Sequence, residues 1–350
     1  MAGAQVPVVD GIPYLRSGRE ELTARVQALL ADGDVAGARV ALLADADDWW
    51  GEDPPPPAQL ARVVDAGTLR EAMDLLGMGR VGDYFAHRWS DPTYLARLAL
   101  LQQHWPGDRP VVEVACGTGH FLRELSRRGL RDLLGIDVVW AKLWLAQRFV
   151  CPAASYVCAD VAVDLDLDVG LDIGLDSDAV QPAYVLCHDA LYFLSKGRAV
   201  RAMRSLAGEG GTVVVGHTHV ADRLSSGEPL RAQEYADLLG TDLLYDDDEL
   251  TGALLAGRPP VPAPAADLEA SEAVALVAGD PCAPAPHDLG EPLGPLVPNP
   301  LYADGRLRWP SERYAQEYGP RSTYLPEAWP EPLPPDAARR RLLVDLPERW

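Results

Sequence analysis

The 350-residue sequence predicts an α/β fold, a doubly wound and mostly parallel sheet, with a helical N-terminal region and a proline- and aromatic-rich C-terminal extension. Three observations carry this. The stretch PVVEVACGTG at 110–119 is a β-branched apolar run closed by a glycine turn, and HFLRELSRR follows at helical spacing, as when a strand buried on both faces feeds a helix. Four more short apolar runs, at 133–137, 155–160, 183–188 and 211–217, alternate with segments that include a helix at 196–207, the spacing of βαβ units. Carboxylates stand within or at the end of the first three runs: Glu113, Asp137 and Asp160.

The glycine turn is the centre of the reading. Gly117 and Gly119 let the backbone turn sharply and lie close to a ligand. The free N–H groups of the next helix point into the same space, where a nucleotide-like cofactor is received. Leu122 occupies the place where a dinucleotide fingerprint needs its third small residue, and no G-x-x-x-x-G-K-[ST] phosphate loop occurs. An acid at the end of the second run, Asp137, can accept hydrogen bonds from both ribose hydroxyls of an adenosine ligand.

An acidic strand residue followed by Cys116-Gly117-Thr118-Gly119 resembles motif I of the class I S-adenosylmethionine-dependent methyltransferases. Ala115 stands where that family more often has glycine. For residues 110–220 the resemblance implies S-adenosylmethionine as cofactor and S-adenosylhomocysteine as product. It implies a seven-stranded sheet whose last strand, 273–278, runs antiparallel at the edge. The implied cofactor contacts are Glu113, Ala115, Cys116, Gly117, Gly119, Asp137 and Val138, with Asp160 and Val161 towards the adenine and His188 near the reactive methyl.

Taken in order, residues 1–18 read as a loose lead-in, followed by helices at 20–30 and 35–43. Trp49 and Trp50 fall in an acidic loop before four prolines and read as packing residues. Helices follow at 58–64 and 68–76, then a glycine-rich hinge at 77–82. Ser90-Asp91-Pro92 reads as a helix start. The resemblance implies that the helices before motif I close over the cofactor, which makes Tyr84, His87 and Arg88 candidate acceptor contacts; Phe85 and Trp89 belong to the same stretch, and anchoring of the lid is the alternative for each. The helix at 138–150 carries Trp140 and Trp144 on one face, read as packing.

The Asp-rich segment 160–178 fails as a calcium loop, because Val169 and Leu175 occupy the glycine and glutamate positions. His188 and Asp189 end the fourth run, and His217 and His219 end the fifth. His188 and His217 are the candidates to act as base or to orient the acceptor, His188 foremost as base. Asp189, Tyr192 and His219 are candidate acceptor contacts. An H-x-H pair beside an acid could bind a metal by ligand type alone, with satisfied burial competing, and no residue is assigned to a metal. Residues 225–229 read as a pocket loop, 231–239 and 247–255 as helices, and the tail as ordered but irregular.

A net charge of −21 excludes a polynucleotide substrate and an anionic membrane as expectations. Five cysteines without a C-x-x-C pair read as buried cytosolic thiols. No apolar run spans a bilayer and no leader is visible, so a cytoplasmic enzyme is expected; the Lys-poor composition suggests a bacterial source. The expected organisation is a lid and substrate region at 1–105, a cofactor domain at 106–280 and an extension at 281–350, through which a homodimer could form. The expected activity is methyl transfer to an O, N or C nucleophile of a small, natural-product-like metabolite. Aminocarboxypropyl transfer, cyclisation or a non-catalytic scaffold are the alternatives.

Overall fold

A computed structural model describes residues 6–46, 53–164, 183–221 and 227–350. Trp49, Trp50, most of the Asp-rich segment (165–182), Ser225 and Ser226 lie outside the described residues.

The N-terminal region contains α1 (Glu20–Ala31), α2 (Val35–Leu43), α3 (Leu69–Leu75), α4 (Gly79–His87) and α5 (Pro92–Gln103). Residues 58–64 fold as Pro57–Leu60 continued by a 3-10 turn, Ala61–Asp65. Asp91 caps α5 by accepting a hydrogen bond from the Tyr94 N–H, with Pro92 in the first turn. Two expectations are corrected here. The lead-in is structured: Val8–Val9 pairs with Ile12–Pro13, and Tyr14 bridges to Cys158. The expected hinge is the start of α4, since buried Met78, Val81 and Phe85 give that stretch an apolar face to pack.

The central sheet has seven strands: β1 (Val111–Val114), β2 (Leu133–Asp137), β3 (Ser155–Cys158), β4 (Tyr184–His188), β5 (Thr212–His219), β6 (Leu244–Asp246) and β7 (Ala273–Gly279). Their spatial order is 3-2-1-4-5-7-6, with the first five parallel and β7 antiparallel to both of its neighbours. The strand at 273–278 therefore exists and runs antiparallel as expected, but it is not the edge. β6 takes the edge; with three residues between a loop and an acidic helix start it is too short to show a period.

Side chains alternate across this sheet. Val111, Leu133, Tyr184 and Val214 face a core shared with α1–α7 and the C-terminal extension, where α6 is His120–Arg127 and α7 is Trp140–Leu145. Val112, Leu134, Val185 and Val213 face α8 (Lys196–Ala207) and α9 (Ala232–Leu239). α7 passes into a π-helical turn, Ala146–Val150, rather than continuing as one α-helix. α10 (Asp247–Ala256) lies against α5, its Thr251 hydroxyl donating to the Pro92 carbonyl.

Residues 281–350 carry one α-helix among the described residues, α11 (Glu312–Tyr318). Asp345 is buried between Arg123 and Arg127 of α6, and the Trp350 indole N–H donates to the Ala86 carbonyl. Cys116, Cys151, Cys158 and Cys187 are buried free thiols, whereas Cys282 is half-exposed, unlike the expectation for all five. No described helix is long and apolar enough to cross a membrane.

Candidate functional site

The C-terminal ends of β1–β5 open into a cavity of about 1280 Å³. Its floor is the sheet edge; Tyr84, Phe85 and Arg88 of the N-terminal region form one wall, and Arg313–Arg321 form another.

Residues after β1 build the first part of the site. Gly117 has φ of +55° and an added Cβ would lie 2.7 Å from Phe85 Cε1, so any other residue there is strained in the backbone and must displace the Phe85 ring. Ala115 also sits at φ of +55°, a left-handed conformation held by a non-glycine residue where the resembling family more often has glycine. Asp137, at the end of β2, accepts from the Gly117 N–H and from the Val139 N–H, both at 2.9 Å. A carboxylate offers about four lone-pair sites, so roughly two remain for a ligand. Glu113 is 2% exposed with Oε2 unbonded in the protein. Burial raises its pKa to about 7, against the lowering effect of Arg97 and Arg88. Arg97 is itself fully buried, with its guanidinium stacked over Phe121 and no hydrogen bond within the protein.

The second part lies at the ends of β4 and β5. His188 is buried edge-on to Phe121, and neither ring nitrogen has a protein partner. Burial, then Arg88 and Arg97, hold its pKa well below the usual histidine range, so it is neutral at pH 7. Asp189, at φ of +56°, accepts from Tyr84 Oη at 2.5 Å and Tyr192 Oη at 2.6 Å, with Arg88 Nη1 at 3.5 Å. The Arg88 guanidinium lies 4.5 Å over the Tyr84 ring.

His217 stands behind this wall. Its Nδ1 lies 2.5 Å from Asp247 Oδ2 and its Nε2 lies 3.9 Å from Asp189 Oδ1. Burial opposes its protonation, but the Asp247 and Asp189 carboxylates win and raise its pKa. His219 is half-buried; burial and His217 lower its pKa.

Of the expected contacts, Glu113, Ala115, Cys116, Gly117, Asp137, Val138, Asp160, His188, Tyr84, Arg88, Asp189, Tyr192 and His219 line the cavity. Gly119, Val161, His217 and His87 do not. Gly119 caps α6 and packs under the Tyr156 hydroxyl. His87 lies outside the cavity: it meets Arg70 Nη1 at 2.8 Å and packs edge-on to Trp350 and Tyr314.

Sequence reasoning missed Arg16, His120, Lys142, Glu272 and the extension residues Arg313, Glu317, Tyr318 and Arg321 in the wall. Tyr318 stacks on Tyr84 at 6.2 Å between ring centroids. His120 follows the glycine turn directly and was findable on that ground; Tyr318 has no local signal, being brought in from more than 120 residues beyond β4.

No protein-family model matches the sequence, and no curated protein matches it. Among solved structures, DesVI of Streptomyces venezuelae is 21% identical, covering 41% of this chain and 57% of its own, with a TM-score of 0.31. A TehB-like S-adenosylmethionine-dependent methyltransferase from Corynebacterium glutamicum is 16% identical over 55% of this chain and 87% of its own, at a TM-score of 0.35. A phosphoethanolamine N-methyltransferase from Haemonchus contortus, solved with S-adenosylhomocysteine, is 14% identical over 62% of this chain and 61% of its own, at a TM-score of 0.38. The seven-stranded sheet, in the order 3-2-1-4-5-7-6 with β7 reversed, is the class I methyltransferase fold.

Proposed function

We propose that the cavity binds S-adenosylmethionine and that the protein transfers its methyl group to a nucleophilic O, N or C of a small-molecule acceptor. One observation carries the reading: Asp137 braces the positive-φ turn at Gly117 while facing the same cavity as Glu113 and Asp160. Asp137 would take the ribose hydroxyls, Asp160 would lie towards the adenine, and Glu113 with the turn would receive the amino-acid end. The cofactor brings an already activated sulfonium methyl. The protein's share is to align donor and acceptor and to exclude water.

The acceptor would enter between the lid, the β4 and β5 ends, and α11. Neutral His188, with both ring nitrogens unbonded in the protein, suits a hydrogen bond that orients the acceptor better than it suits lasting protonation. Of the two roles open to His188, base or orienting group, this favours the second. His217 does not line the cavity and would act through Asp189. The test is incubation with S-adenosylmethionine and a panel of small hydroxyl and amine acceptors, read by mass spectrometry. S-adenosylhomocysteine with a methylated product supports the reading, whereas methylthioadenosine release points to aminocarboxypropyl transfer.

A further inference from the structure

We propose that Asp189, His217 and His219 hold one divalent first-row transition ion, of the zinc, cobalt or nickel kind, at the acceptor end of the cavity. One ligand atom from each of the three lies within 4.8 Å of the other two. Two imidazoles and one carboxylate are a donor set for such ions, and three protein ligands leave coordination positions open for a small molecule.

Several details of the local structure fit this use. His217 Nε2 and Asp189 Oδ1 are 3.9 Å apart, too far for a hydrogen bond. Two ligands each about 2.0–2.2 Å from a shared ion stand at most about 4.4 Å apart, so that separation is one an ion would bridge. The Asp247 carboxylate accepts from His217 Nδ1 and fixes the ring, so Nε2 is the nitrogen turned towards Asp189 and supplies a lone pair once its proton is displaced. A carboxylate behind a histidine ligand is the usual outer support. Tyr84 and Tyr192 give Asp189 the same support. His219 Nδ1 is buried and has no hydrogen-bond partner in the protein.

The backbone also departs from regularity here. The register of β5 against β7 shifts between Val215 and Thr218, and His217 at φ of +47° sits inside that irregularity. Bulges beside active sites re-aim side chains. Asp189, the facing ligand, is likewise in the left-handed region. Two non-glycine residues held in an uncommon conformation at neighbouring strand ends are where functional strain is found. The surrounding charge favours a cation: Asp189, Asp247, Asp248 and Glu272 stand against Arg88 and Arg321.

Asp189 and His219 line the cavity, so the open positions face the space assigned to the acceptor. A bound ion would take an oxygen donor of the acceptor there and hold it towards the methyl group. That role rests on the methyltransferase reading; ion binding does not.

The test uses full-length protein dialysed against chelator, titrated with cobalt(II) and followed by calorimetry and by visible absorption of the bound ion. One equivalent is expected. His219→Ala and Asp189→Asn should each weaken binding more than tenfold, and Asp247→Asn by about 10–100-fold, with thermal melts confirming that each variant folds. No saturable binding by the wild type, or undiminished binding by folded His219→Ala, overturns the proposal and leaves a protonated His217 bridging two carboxylates. Titration of the same wild-type sample with S-adenosylhomocysteine reads the cofactor site separately, so failure of one is not mistaken for failure of the other.

Discussion

Gly117→Ala tests the physical basis of the cofactor turn. Gly117 sits at φ of +55°, and a Cβ there would lie 2.7 Å from Phe85 Cε1 and 3.0 Å from Phe85 Cζ. The backbone cost for alanine in this region is about 1–2 kcal/mol, and displacing a buried ring adds about 1–3 kcal/mol. A chain of this length has an unfolding entropy near 0.7 kcal/mol per degree, so the combined cost of about 2–5 kcal/mol lowers Tm by about 3–7 °C. Gly107→Ala supplies the control: φ there is +67°, but nothing lies within 4 Å of the added methyl. It should lose only the backbone part, about 1–3 °C. The assay is differential scanning calorimetry of both variants, repeated in a Phe85→Leu background. The contact part of the Gly117 penalty should shrink there by about 1 kcal/mol or more, a coupling that independent sites do not show. Equal losses for the two alanine variants, or strict additivity with Phe85→Leu, would mean that the Phe85 contact contributes nothing to the Gly117 penalty.

Asp137→Asn removes one acceptor from a carboxylate that braces two backbone N–H groups; hydrogen bonds to charged groups contribute about 1.5–3 kcal/mol, so affinity for S-adenosylhomocysteine should fall about 10–150-fold in calorimetric titration. Burial depresses the pKa of His87 and His104 to about 4 and of His120 to about 3. The unfolded chain then binds protons the folded chain refuses, so stability is complete above about 6.5 and is lost as pH falls towards 4. Urea midpoints should drop between pH 7 and pH 5, and His104→Gln, which removes a contribution of up to about 3 kcal/mol, should flatten that decline. His217 works the other way: its raised pKa means its contribution is present below about 6.5 and fades as pH rises through the folded value. Tyr318→Ala removes the stack on Tyr84, worth about 0.5–1.5 kcal/mol beyond area. The acceptor KM should rise about 2–12-fold while S-adenosylhomocysteine affinity stays at the wild-type value.

The parts of the fold that were legible in the sequence are those fixed by local chemistry. The apolar runs of β1, β2 and β4, the glycine turn and the Asp91-Pro92 helix start each announce themselves within ten residues. The same holds for Asp137, placed by a strand end and a spacing. β6 was invisible because three residues carry no period, and its insertion beside β7 is a long-range pairing. The N-terminal hairpin does have a local signal, Asp10-Gly11, both at positive φ as in a type I′ turn, between Val8–Val9 and Ile12–Pro13; only its bridge from Tyr14 to Cys158 is long-range. His87 could not be separated from Tyr84 and Arg88 by sequence, because what distinguishes it is the packing of Trp350. Nor could the strand period place His217 behind Asp189, since the register shift in β5 overrides the alternation that would pair it with His219.

The most direct test of the central claim is calorimetric titration of the wild-type protein with S-adenosylhomocysteine. One site per chain with micromolar affinity is the expected result, and its weakening in Asp137→Asn would tie that site to the cavity that Asp137 and Gly117 build. No heat and no thermal stabilisation at saturating ligand, on protein shown to be folded, would mean that this cavity does not bind the cofactor.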